Sequence, residues 1–202
     1  MNKIAASSVA VLAAFALAGC FSLFPKADPA QLYRIGTSVE ASAGAAGTVP
    51  LALAPLDFNE AAAGDRILTA TGGEVAYIAA SRWASPAKTM FHDALEQAFE
   101  RNARVVTLVT RREVRASTLM LDVDVNAFEA RYESGQGAAP TAVVSMDVRL
   151  VRYPERTVVG RRVIEAKRPA AENRVGAIVS AFDAATNDAL VQLVQWTDQT
   201  AG

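Results

Sequence analysis

A single cysteine, Cys20, stands in 202 residues, so no intramolecular disulfide can form. A domain of this size buries enough core without one, which leaves Cys20 a task other than bridging. Histidine is as scarce: His92 is the only imidazole, with no nucleophile or second base at a recognisable spacing. Neither sign of charge dominates, with 20 Lys+Arg against 21 Asp+Glu. That balance excludes the strong basic field of a nucleic-acid-binding surface. Beyond Cys20 no apolar run approaches the roughly 20 residues that a spanning helix requires. The chain also lacks a G-x-S-x-G elbow, a P-loop and a dinucleotide fingerprint. The expectation is a non-enzymatic protein with no catalytic residue, no cofactor and no metal site.

What is present begins at Met1. Lys3 precedes an apolar run from Ile4 to Ala18, interrupted only by Ser7 and Ser8, and Leu17-Ala18-Gly19-Cys20 closes it. This order of positive start, apolar stretch and small residues is that of a secretory signal. The cysteine directly after Leu-Ala-Gly resembles the bacterial lipobox, whose cleavage leaves Cys20 as a lipid-modified first residue. One acyl chain holds a protein to a membrane only marginally, at about 0.8 kcal/mol per buried methylene, whereas two or more hold it firmly. The lipobox implies a diacylglyceryl thioether and an N-acyl group on Cys20, hence a durable anchor. Phe21 follows, not the Asp that in such lipoproteins commonly means inner-membrane retention, so the expected location is the outer membrane, facing the periplasm.

The chain divides into a signal peptide over 1–19, a lipidated tether over 20–31 and one domain over 32–202. In the tether Phe21, Leu23 and Phe24 lie beside the lipid and two prolines interrupt the chain. Leu32 to Ile35 reads as a first strand, and Gly36 to Thr48, rich in Gly, Ala and Ser, as a mobile loop. Val49 to Leu56 alternates as a strand, with Leu51 and Leu53 on one face and its prolines assigning it to an edge or trimming its ends. Asn59 to Gly64 reads as a loop. Gly72-Gly73 between Asp65–Thr71 and Glu74–Ala79 is a hairpin signal, since both glycines accept positive φ.

Ser85 and Pro86 predict a helix start, as N-cap and first helical residue, for a helix reaching Asn102. Met90, Phe91, Ala94, Leu95, Ala98 and Phe99 form its apolar stripe, with Glu96, Glu100 and Arg101 opposite. Val105 to Val109 is strand-like. Thr118 to Phe128 alternates cleanly, with Leu119, Leu121, Val123, Val125 and Ala127 on one face and Met120, Asp122, Asp124, Asn126 and Phe128 on the other. Thr141–Tyr153 and Thr157–Lys167 form a second hairpin about Pro154-Glu155-Arg156. A long helix over Asn173–Gln199 carries Ile178, Phe182, Ala185, Ala189, Leu193 and Trp196 on one stripe. The fold class is therefore α+β, strands-helix-strands-helix: a mostly antiparallel sheet with both amphipathic helices on one face.

Several residues admit a functional and a bland reading. Arg82 and Trp83 are candidate partner contacts, because Trp and Arg are enriched at interface hot spots; a bulky indole equally plugs a strand-to-helix corner. Asp122 and Asp124 share a strand face, but two carboxylates without His or Cys are a poor metal ligand set. His92 reads as a surface residue, and Arg111, Arg112 and Arg115 as a solvated turn able to meet anionic headgroups. An exposed sheet edge is the better partner site, since unpaired N–H and C=O groups invite strand addition.

Leu17–Cys20, Tyr33-Arg34, Asp65-Arg66, Glu74-Val75-Ala76-Tyr77, Arg82-Trp83 before Pro86 and its helix, Leu121-Asp122-Val123 and Phe128-Glu129 occur in this order. In that order the chain resembles the PqiC-like, ABC-type transport auxiliary lipoprotein family; it departs in having Ala80-Ser81 where an aromatic or His is expected before Arg82. The resemblance implies a periplasm-facing accessory of a transport system built from an ABC transporter and an MCE-domain protein. Such systems move phospholipid or other apolar molecules between two membranes. The implied partners are the MCE protein, the membrane through the lipid on Cys20, and phospholipid; no nucleic acid and no catalysis are implied. The alternative is a structural or assembly lipoprotein of the outer membrane, a barrel plug or an envelope scaffold.

Overall fold

The computed structural model describes residues 29–35, 47–109 and 118–202. Cys20, the signal, most of the tether, residues 36–46 and the arginines at 111, 112 and 115 lie outside them.

The sheet is organised around β7 (Leu119–Arg131). Along one side it pairs antiparallel with β8 (Thr141–Arg152), which in turn pairs antiparallel with β9 (Thr157–Pro169). Along the other side lie three shorter strands end to end, all parallel to β7: β2 (Val49–Leu53), β3 (Asp57–Phe58) and β4 (Arg66–Thr71). Beyond β4 come β5 (Glu74–Trp83), antiparallel, and β1 (Gln31–Tyr33), parallel to β5; beyond β2 comes β6 (Val106–Leu108). Gln31, the last residue assigned to the tether, already belongs to β1. The two long hairpins, β4–β5 and β8–β9, each lead into a helix, α2 (Ala87–Asn102) and α3 (Val175–Ala201). Both helices pack on the same face of the sheet, as the α+β reading requires, and their predicted stripes are buried in full.

Three local expectations are corrected. Asn59–Gly64 is not all loop: Glu60–Ala63 forms a single helical turn, α1, capped by the Asn59 side chain accepting from the Ala61 N–H (3.0 Å). One turn is too short to show a period. α2 begins one residue later than predicted, with Pro86 rather than Ser85 as its cap and no side-chain cap bond. The first helical N–H, that of Ala87, donates instead to the Gly64 carbonyl (2.9 Å), so a tertiary contact replaces the cap. Of the two readings of its prolines, β2 takes the trimmed end, stopping at Leu53 before Pro55, and not the edge, since it lies between β6 and β7. Pro50 is tolerated there because the Val49 N–H and the Leu51 carbonyl bond to Val105 and Val109 on the β6 side, so the missing N–H at 50 faces β7, where the register begins only at Leu51.

The third correction concerns β7. Its register against β8 shifts between Val125 and Ala127, leaving Asn126 as a bulge. One extra residue inverts the facing of everything that follows. Phe128 and Ala130 are therefore buried, and Ala127 is not, contrary to strict alternation. Asn59 holds the bulge: its backbone N–H donates to the Val125 carbonyl (2.8 Å) and its Nδ2 to the Asn126 carbonyl (3.1 Å).

Two glycines have a geometric reason. Gly72 in the β4–β5 turn takes φ +58°, in the left-handed region. Gly160 on β9 lets α3 approach, since a Cβ there would stand 2.6 Å from Thr200 Cγ2 and 3.1 Å from Trp196 Cζ2. Among the described residues no helix is long and apolar enough to cross a membrane.

Candidate functional site

At the end of β5 the strand alternation places Ser81 and Trp83 inward and Arg82 outward. Trp83 is only 2% exposed, its ring edge-on to Phe182 (5.4 Å between centroids) and tilted against Phe128 (6.0 Å). No indole surface is left for a partner, so the candidate contact at Trp83 is corrected to a core residue. Arg82 is accessible, and its Nη1 meets Asp65 Oδ2 at 2.8 Å, both side chains about half exposed. Arg66 is the register partner of Arg82 and lies over the Tyr77 ring at 3.8 Å. The Trp83 N–H donates to the Asp65 carbonyl and the Ala84 N–H to the Tyr33 carbonyl, both at 2.7 Å.

The motif fragments Tyr33, Asp65-Arg66, Tyr77 and Arg82-Trp83, far apart in sequence, thus meet at one corner where β1, β4, β5 and the start of α2 join. They build structure. An exposed ion pair contributes little after solvent screening, so Arg82→Ala is expected to lower stability by no more than about 1 kcal/mol in a denaturant melt. A loss several times larger would show that Arg82 has a further role.

The sheet face away from the helices is charged. Asp122 pairs with Arg149, Asp147 Oδ1 with Arg161 Nη2 (3.0 Å), and Asp147 Oδ2 accepts from Asn126 Nδ2 (3.1 Å). Asp122, half-buried beside Arg149, and Asp124, exposed opposite Asp147, both lie on this face. His92, Asp93 and Glu96 share an exposed part of α2, with His92 Nδ1 3.8 Å from Glu96 Oε2. His92 and Glu96 stand one turn apart on a solvated helix face, with Asp93 adjacent, and among the described residues no further ligand joins them. Burial raises the Tyr132 phenol above its ordinary pKa; its hydroxyl donates to Asn173 Oδ1 (2.8 Å), and Asn173 Nδ2 donates to the Gln136 carbonyl (2.7 Å). Those bonds tie the β7–β8 loop to the start of α3.

Among the described residues the longest open edge of the sheet is that of β9. Among the described residues β9 pairs with β8 alone, so one side of a thirteen-residue strand is unpaired. It carries two exposed valines, Val158 (55%) and Val163 (62%). A groove of about 520 Å³ runs between β9 and α3, bordered by Glu165, Lys167, Asn187 and Gln192. The Asn187 Oδ1 atom itself is buried and has no hydrogen-bond partner among the described residues. A second groove, about 800 Å³, lies between Tyr33 of β1 and the first turns of α3. Alternating apolar and charged residues made β9 legible as a strand, but nothing local distinguishes an outer strand from an inner one.

Fold and surface define an α+β domain with an aromatic core and exposed strand edges. The family model for the ABC-type transport auxiliary lipoprotein component matches residues 33–194. The chain belongs to that family. It is similar to the protein XCC0632 from Xanthomonas campestris, with 26% identity over 85% of this chain and 96% of that one, at a TM-score of 0.73. The hypothetical protein CT253 from Chlamydia trachomatis shares the fold at 7% identity, over 78% of this chain and 98% of that one, with a TM-score of 0.54. A search of curated proteins gives no match. A lipoprotein component of a transport system fits a membrane-anchored, periplasm-facing location, and association with an ABC transport system follows from the family. Cys20 lies outside the described residues.

Proposed function

We propose that this protein is an outer-membrane-anchored accessory lipoprotein of an MCE/ABC-type lipid transport system, working by docking and not by catalysis. Lipid on Cys20 holds the domain at the membrane, and the domain gives the far end of the MCE conduit a place to deliver or collect lipid. The observation that carries this reading is the family match over residues 33–194.

Replacing Cys20 with serine removes the acylation site. The expected result is that Cys20→Ser leaves the membrane fraction, no longer copurifies with the MCE protein and fails to support the envelope barrier. Retention in membranes with intact barrier function would sink the tethered-adaptor reading.

A further inference from the structure

We infer that the groove between β1 and the first turns of α3 is the seat of this chain's own tether, with Leu23 to Asp28 laid along it. The inference goes beyond the proposed function and takes from it only the lipid on Cys20; the seat forms with or without an MCE partner.

The groove measures about 800 Å³. One wall is Gln31 and Tyr33 of β1, tied together by the Tyr33 hydroxyl donating to Gln31 Oε1 (2.7 Å). Its floor is the part of α3 that carries Gly176, Ala177, Ser180 and Ala184, residues too small to fill it. A Cβ added to Gly176 would meet no atom within 4 Å. Glu172 and Arg174, ion-paired with each other, also line it.

Position, length and charge select the tether as the occupant. The described chain starts at Pro29, two residues before Gln31, so the upstream segment leaves from the groove's own wall. A covalently attached segment meets its site at an effective concentration in the millimolar range, so contacts too weak to hold a free ligand suffice. The groove borders α3 from Val175 to Ala184, about 14 Å of helix. Leu23 to Asp28 extends to about 20 Å, enough to cover it. Leu23 and Phe24 supply the bulk that the floor lacks, and seating them removes apolar surface from water. Lys26 and Asp28 stand two residues apart, as Glu172 and Arg174 do, with the signs reversed. A parallel placement therefore opposes Lys26 to Glu172 and Asp28 to Arg174. Pro25 and Pro29 reduce the conformational freedom that seating removes. With the tether seated, only Cys20 to Ser22 separate the lipid from the domain, about 10 Å at full extension. Unseated, Cys20 to Ala30 allows about 36 Å. The seat thus holds the β1–α3 corner against the membrane and sets which side of the domain faces away from it.

The test uses full-length lipidated protein in detergent, with trypsin cutting after Lys26 and mass spectrometry reading the new terminus at Ala27. A seated tether is cut slowly, because cleavage follows the unseated fraction. Ser180→Trp and Ala184→Trp fill the floor from exposed positions, and each is expected to speed that cut about tenfold or more. Thermal melts of both variants verify that the fold persists. Independently, Phe24→Cys is combined in turn with Ala177→Cys, Ser180→Cys and Ala184→Cys; lipid on Cys20 leaves no other free thiol. At least one pair is expected to close a disulfide within one chain, since a seated Phe24 lies within disulfide reach of the floor. Phe24→Cys with Val163→Cys, exposed on the charged sheet face, is expected to close none. Equal cutting after Lys26 in the parent and both tryptophan variants, no disulfide to the floor, disulfides only between chains, or one at Val163 as readily as at the floor would each overturn the proposal. None of these readouts involves the MCE protein or the envelope barrier, so failure here leaves the docking reading standing.

Discussion

Phe128→Ala is expected to cost about 3–5 kcal/mol, the range for truncating a fully buried aromatic, and to shift a urea midpoint accordingly. Phe128 is the hub of the aromatic core. Its ring centroid lies 4.9 Å from Phe182, 5.6 Å from Phe58, 6.0 Å from Trp83 and 6.3 Å from Phe91. Those four rings come from α3, β3, β5 and α2, so one side chain joins both helices to both wings of the sheet. Truncation leaves a cavity bordered by rigid rings that cannot collapse into it. The bulge at Asn126 is what brings Phe128 inside, so the same experiment tests the register. If Phe128→Ala cost under about 1 kcal/mol while Ala127→Asp cost several, β7 would follow the unbulged alternation instead.

The second large effect is expected at Asp198, near the end of α3. Its Oδ2 accepts from the Arg104 N–H (2.8 Å), and its Oδ1 from those of Val105 (3.0 Å) and Val106 (3.1 Å). One carboxylate thus satisfies three consecutive backbone donors where α2 ends and β6 begins. Hydrogen bonds to a charged acceptor contribute about 1.5–3 kcal/mol each, although bonds sharing one acceptor do not add. Asp198→Ala is expected to destabilise by roughly 3 kcal/mol, with faster amide exchange at Val105 and Val106. Asp198→Asn keeps one acceptor oxygen and is expected to fall between the variant and the parent. Unchanged exchange at those amides would show that the three bonds do not hold the junction.

Neither residue announces itself in the sequence. Asp198 reads as one more polar position near the end of an amphipathic helix, because its partners are 92 to 94 residues away. Phe128 reads as outward-facing, because alternation assumes no bulge. The bulge depends on Asn59, which reaches Asn126 across 67 residues. The same separation explains the motif fragments. Tyr33, Asp65-Arg66 and Arg82-Trp83 are individually weak, and they become one corner only when β1 and β4 pair with β5. Of the two residues singled out there, pairing sends Trp83 into the core and leaves Arg82 outside.

What could be read directly was whatever repeats within a few residues. The stripes of α2 and α3, the β4–β5 and β8–β9 hairpins, and the helices following them were determined by period and turn chemistry, since burial acts on each side chain at its own position along an element. Decisions that needed two distant segments at once belonged to the tertiary structure: the phase change in β7, the placement of β2 inside the sheet, the carboxylate clasp at Asp198 and the open side of β9. A strand's own residues set its alternation, but whether a neighbour occupies its edge depends on where the rest of the chain goes.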